Sequence, residues 1–147
     1  MKLYNTLTRR KDKLQPLDGQ TVRMYTCGLT VYSQPHIGNW VGYIYWDVLV
    51  RLLRWQDIPV IRTQNITDVG HLTSDDDDGE DKMEKGARRE GKTAWDVAKQ
   101  YIAIADHEAY EVLKLVRPDH LVRATDYIQQ QIDFARGLDE RGFLYKI

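Results

Sequence analysis

"VRMYTCGLTVYSQPHIGNWVGYIYWDVLVRLLRWQDIPVIRTQNIT", residues 22–67, decides the fold. Val22 to Thr26 alternates in and out and carries β-branched and aromatic side chains, which predicts a strand. A loop runs from Cys27 to Pro35. From Asn39, read as an N-cap, Val41, Ile44, Tyr45, Val48, Leu49 and Leu52 recur at three-and-four spacing. That spacing predicts a helix, closed by Gln56-Asp57 and Pro59. Ile58 to Asn65 predicts a second strand. Strand, helix and strand at this separation form a βαβ unit, which pairs its strands in parallel and places ligand sites at their C-terminal ends. The loop after the first strand and Asn65-Ile66-Thr67-Asp68 after the second are therefore expected to face one crevice.

Working outward, residues 1–20 are polar, with a turn at Pro16 and Asp18-Gly19. "GHLTSDDDDGEDKMEKGARREGK", residues 70–92, is acidic first, basic after and rich in glycine, the composition of an exposed loop. Thr93, with Asp96 three residues on, predicts the cap of a helix reaching towards Leu115. Its apolar face is expected to hold Val97, Ala98, Tyr101, Ile102, Ala105, Ala109, Val112 and Leu113. "RPDHLVRAT", residues 117–125, predicts a short extended piece. Thr125 is expected to cap a last helix from Asp126 to Arg141, ended by Gly142, with "FLYKI" as a final strand. The fold class expected is α/β.

The 147 residues suffice for one domain. Hydrophobic residues at 42% and charged residues at 29% describe an ordinary globular composition, and a net charge of −1 names no partner. A single cysteine, Cys27, makes no internal disulfide and points to a reducing cytosol. The polar start does not resemble a signal peptide, and no apolar run reaches membrane-spanning length. Asp75 to Asp78, with Glu80 and Asp81, lack the spacing of a calcium loop and read as a solvated charge run. Lys82, Lys85, Arg88, Arg89 and Lys92 either meet nucleic-acid phosphates or pair with those acids.

A helix N-terminus offers unpaired N–H groups and positive potential, so phosphate settles there. Gly38 lets the backbone approach a ligand, and His36 can add a donor. The plainer reading is that His36 caps the helix, Gly38 turns the chain and Cys27 is a small buried hydrophobe. His71, His107 and His120 read as loop and surface residues.

The motifs taken together say more. "LYNTLTR" (3–9), "MYTCGLTVY" (24–32), "HIGN" (36–39), "QNITD" (64–68) and "RPDHLVRAT" (117–125), in this order and spacing, resemble the N-terminal half of the cysteinyl-tRNA synthetase family, class I aminoacyl-tRNA synthetases. The resemblance implies a Rossmann-like (HUP-type) parallel sheet with flanking helices. It implies that residues 1–141 are the N-terminal half of the catalytic domain and that 142–147 begin the connective insertion. The implied reaction is ATP-dependent activation of L-cysteine as cysteinyl-adenylate, then transfer to tRNA(Cys).

His36 and Asn39 take the place of the family's catalytic HIGH signature, and Thr30, His36, Gly38 and Asn39 its ATP contacts. Gly28, Leu29, Thr30, Asn65, Ile66 and Thr67 match the cysteine and adenylate contacts, and Cys27 matches one zinc ligand. A soft thiolate suits zinc better than a hydroxyl does, which is how a metal separates cysteine from serine. The other ligands and the KMSKS loop are expected beyond residue 147. The chain is thus expected to be an incomplete piece, inactive alone, of a cytoplasmic enzyme that is a monomer when complete. ATP enters with magnesium as substrate, and no membrane is involved. The alternatives are a cysteine ligase of the mycothiol pathway, which shares this half, and a non-catalytic nucleotide-binding fragment.

Overall fold

In the computed structural model, residues 1–69 and 91–145 are described. The loop predicted at 70–92 therefore lies outside the described residues except for Gly91 and Lys92, and so do Lys146 and Ile147.

Strands β1 (Lys2–Asn5) and β2 (Arg10–Lys13) form an antiparallel hairpin, with Lys2 opposite Lys13 and Asn5 opposite Arg10. The sequence predicts no strand in this polar stretch, because neither strand shows a sustained alternation of apolar and polar residues. Its turn is knitted by Asp12, which accepts from the Asn5 amide, the Thr8 hydroxyl and Arg10 Nε.

The second sheet carries the architecture. Strand β3 (Val22–Thr26), helix α1 (Ile37–Trp55) and strand β4 (Val60–Ile66) form the expected unit, with β3 and β4 parallel and Val22 opposite Val60. Helix α2 (Ala94–Asp106) continues into a π-helical segment, His107–Val112, before strand β5 (His120–Arg123). Strand β5 pairs in parallel with β4, giving the order β3-β4-β5. A 3-10 turn (Ala124–Tyr127) leads into α3 (Ile128–Asp139). This is the parallel-sheet α/β fold expected. Among the described residues no helix is long and apolar enough to cross a membrane.

Several expectations are corrected. Helix α1 starts at Ile37 with His36 as its N-cap, so Asn39 is a first-turn residue. It buries Trp40, Tyr43, Asp47, Val50 and Leu53, while Val41, Tyr45, Val48 and Leu52 are exposed. The helix is apolar on more than one face, and its buried stripe includes a carboxylate that hydropathy discounts. Asp47 can be buried because Arg51 Nε and the Val116 amide donate to it at 2.6 and 2.7 Å. On α2 Val97, Ala98 and Tyr101 are buried as expected, as is Ala109 in the π-helical segment, but Val112 at that segment's end is 62% exposed. The wider π turn rotates the face away from the helical register by that point.

Thr125 caps no helix: its amide and hydroxyl donate to Asp68 at 3.1 and 2.6 Å, and α3 starts later without a side-chain cap. Gly142 does end the last helical segment, with φ +72°. Residues 143–145 form no strand, and the rest of "FLYKI" lies outside the described residues.

The core forms between the sheet and α1 and α2. One cluster joins Val31, Ile66, Val97, Ala98 and Tyr101; another joins Trp40, Tyr43 and Ala109. Leu29, from the loop after β3, packs against both, so the core holds the loop that shapes the site.

Candidate functional site

The loop after β3 is built as an outgrowth of the sheet. Gly28 N–H donates to Asn65 Oδ1 at 2.7 Å, the Thr67 amide donates to the Leu29 carbonyl at 3.0 Å, and the Val31 amide donates to the Thr67 carbonyl at 3.2 Å. Thr30 and Thr67 thus pair as one more parallel bridge. A Cβ on Gly28 would lie 1.5 Å from the Asn65 carbonyl oxygen, so only glycine lets the two backbones meet here. Val31, 3% exposed, then pins the loop into the core.

The helix entry is closed on itself. His36 Nδ1 accepts from Gly38 N–H at 3.1 Å, and Asn39 Oδ1 accepts from His36 N–H at 3.0 Å. This reciprocal pair is a capping box with imidazole in place of the usual hydroxyl. With Nδ1 accepting, the neutral ring carries its proton on Nε2, where it is a donor for an anionic group. A Cβ on Gly38 would stand 3.0 Å from the His36 ring, so the glycine also gives the imidazole its room.

Between the loop and the helix entry lies an open cleft of about 400 Å³. Cys27, Gly28, Leu29, Thr30, His36, Gly38 and Asn39 line it, with Tyr43, Trp46 and Tyr101 beneath. The fold thus brings the expected residues of the first loop and of the helix entry together at the C-terminal end of β3. The expected residues after β4 stand behind the cleft. Asn65 holds Gly28, receives the Tyr25 hydroxyl at 2.8 Å and donates to Thr67 Oγ1 at 3.0 Å. Ile66 is buried in the core, and Thr67 holds the loop by its backbone. None of the three is among the lining residues.

Cys27 is exposed on the rim, its thiol 3.7 Å from the Gly28 carbonyl. A zinc site takes three or four protein ligands. Among the described residues no group of three or more His, Cys, Asp or Glu side chains comes together. The residues present supply one donor and do not by themselves make a zinc site. His107 and His120 are exposed and belong to no such group, while His71 and the acids from Asp75 to Asp81 lie outside the described residues.

Two polar groups lie beneath the cleft. The Tyr43 hydroxyl and Arg62 Nε are buried without partners, and both residues line a small pocket of about 30 Å³ between sheet and helices. Burial pushes the Tyr43 phenol well above its ordinary range, and burial also lowers the Arg62 guanidinium. Arg62 is held by its Nη2 donating to the Val116 carbonyl at 2.6 Å, and Asp119 accepts from its backbone amide at 2.7 Å. Sequence reasoning misses Glu108 near the site and the partner of Asp68. Glu108 accepts from Gln34 and Trp40, and the signal for it is absent from the sequence because only the π turn brings it there. Asp68 has a signal, its place in "QNITD", but its bonds to Thr125 do not, because a threonine there suits a helix cap equally well.

A parallel sheet with an HIGN-capped helix at its C-terminal edge is the frame of class I aminoacyl-tRNA synthetases. Residues 13–147 match the family described as "tRNA synthetases class I (C) catalytic domain", and the chain belongs to it. Three relatives are cysteine–tRNA ligases. The chain is 44% identical over 144 residues to the cysteine–tRNA ligase of Zymomonas mobilis, covering 98% of this chain and 28% of that protein. It is 45% identical over 144 residues to cysteine–tRNA ligase 1 of Burkholderia lata, covering 98% and 30% respectively. With the cysteine–tRNA ligase of Treponema denticola it shares 39% identity over 145 residues, 99% of this chain and 29% of the other. The chain thus spans less than a third of the length of these curated relatives.

Proposed function

We propose that this chain is the amino-acid and nucleotide end of an enzyme that activates L-cysteine with ATP and transfers it to tRNA(Cys). The observation that carries the reading is the cleft, where Cys27 and the His36–Asn39 capping box open onto one space at a parallel-sheet edge. ATP, with magnesium, lies against Thr30, His36, Gly38 and Asn39. The His36 Nε2 proton and the first turn of α1 meet its phosphates. Activation needs no covalent enzyme intermediate: the cysteine carboxylate attacks the α-phosphorus and pyrophosphate leaves. The protein's part is therefore alignment and charge stabilisation.

L-cysteine and its adenylate lie against Gly28, Leu29 and Thr30, with Asn65, Ile66 and Thr67 holding that strip of backbone from behind. Cys27 is read as one ligand of a zinc ion whose other ligands come from the rest of the polypeptide; bound there, zinc would supply thiolate recognition. Residues 1–141 are read as the first half of the catalytic domain and 142–147 as the start of the connective insertion, in a cytoplasmic protein that is monomeric when complete. The relatives' names favour tRNA over an amino sugar as acceptor. The deciding experiment is cysteine-dependent exchange of labelled pyrophosphate into ATP by the completed polypeptide. Exchange that ignores cysteine and responds to another amino acid overturns the reading.

A further inference from the structure

The stretch that holds His36 to Asn39 is flanked by two residues bound to a single distant carboxylate. Gln34, in the loop before the helix, donates from Nε2 to Glu108 Oε1 at 3.1 Å. Trp40, in the first turn of α1, donates from Nε1 to Glu108 Oε2 at 2.8 Å. Trp40 is buried, Glu108 half-buried, and both carboxylate oxygens are in use. Glu108 lies in the π-helical segment His107–Val112, which follows α2 directly. A π turn displaces every later residue around the helix axis, and such turns gather at functional positions because they re-aim side chains.

We propose that Glu108 is a positioning residue for the nucleotide end of the cleft. It clamps the chain on both sides of the His36–Asn39 capping box and so holds the imidazole in place before any ligand arrives. This rests on the reading of that box as the ATP end. The capping box fixes His36 relative to its own helix, but its bonds are all local. The two bonds to Glu108, by contrast, tie residues 33–40 to a distant part of the fold. Hydrogen bonds to a charged group are the stronger kind. Glu108 contacts no reacting atom; it acts through His36 and Asn39.

The test compares wild type with Glu108→Ala, Glu108→Gln and Trp40→Phe in this same chain. Amide hydrogen exchange is followed residue by residue, and ATP with magnesium is titrated by NMR. In Glu108→Ala, exchange over residues 33–40 should quicken about 10-fold, as expected from losing hydrogen bonds to a charged acceptor, while α2 stays protected. Trp40→Phe should do the same in part. Glu108→Gln should restore protection, because its amide oxygen accepts from Trp40 and its NH₂ donates to a flipped Gln34 amide. The apparent ATP dissociation constant should rise about 5- to 10-fold in Glu108→Ala on the same basis and return in Glu108→Gln. Unchanged exchange at 33–40 overturns the proposal. So does quickening spread evenly over the whole chain, which would make Glu108 a general stabiliser. If ATP shifts no cleft resonance in wild type, the ATP reading fails, and the exchange comparison still decides the clamp.

Discussion

At Gly28 a methyl group has nowhere to go, because the obstacle is the Asn65 carbonyl, backbone in the central strand of the sheet. Gly28→Ala should cost at least the about 1–3 kcal/mol typical of overpacking and break the hydrogen bond that the residue 28 N–H donates to Asn65 Oδ1. Urea unfolding reads the first effect, and loss of exchange protection at Gly28 reads the second. A variant of wild-type stability would mean that the loop can leave the sheet at little cost. Tyr43 is the opposite case. Its hydroxyl is buried without a partner, so its desolvation is uncompensated. Tyr43→Phe should be neutral or stabilising by about 1 kcal/mol. A loss of that size would instead show that the hydroxyl is satisfied, for instance through a bound water in the small pocket beside it.

Among the elements, the junction after β4 is the most revealing. Asp68, 6% exposed, accepts both bonds from Thr125 and so fastens the end of β4 to the turn after β5. Asp68→Ala leaves the half-buried Thr125 amide and hydroxyl without their acceptor and should cost about 1–2 kcal/mol. Asp68→Asn keeps one acceptor and should cost less. A double-mutant cycle with Thr125→Ala measures the coupling, and additive effects would show that the pair does not interact.

The same junction marks what was legible in the sequence. Strand β3 and the βαβ order could be read because β-branched alternation and turn residues act locally. "HIGN" and Cys27 could be placed on one cleft because both sit beside element ends in the sequence. The buried side of α1 could not, since Asp47 becomes a core residue only when Arg51 and Val116 arrive to satisfy it. Nor could Thr125, whose hydroxyl is equally suited to a helix cap and to a carboxylate 57 residues away. The π turn at His107–Val112 and the β1–β2 hairpin escaped for the same reason: both answer to tertiary partners or to side-chain bonds that periodicity does not register.

At the scale of the whole molecule, the proposed function would have the cleft meet phosphate at one wall only. ATP brings several negative charges, yet among the described residues those lining the cleft include no lysine or arginine. Positive potential comes from the first turn of α1, a contribution of about 0.3–1 kcal/mol at an exposed helix end, beside the His36 ring. That is little against the charge that accumulates on departing pyrophosphate, for which phosphoryl-transfer enzymes use cationic side chains and metal ions. Cys27 likewise offers one ligand where zinc takes three or four. The 147 residues on their own should therefore bind ATP only at about millimolar concentration, near −4 kcal/mol, and show no cysteine-dependent pyrophosphate exchange. The rest of the polypeptide, added in cis or in trans, should supply cations and ligands and switch the reaction on. In that completed protein, Cys27→Ser should lose zinc on dialysis along with exchange. His36→Ala should keep zinc and slow adenylate formation by about 10²- to 10³-fold, the worth of one charge-stabilising donor. Vigorous exchange by the isolated chain would mean that its cleft neutralises the triphosphate by residues other than those named here.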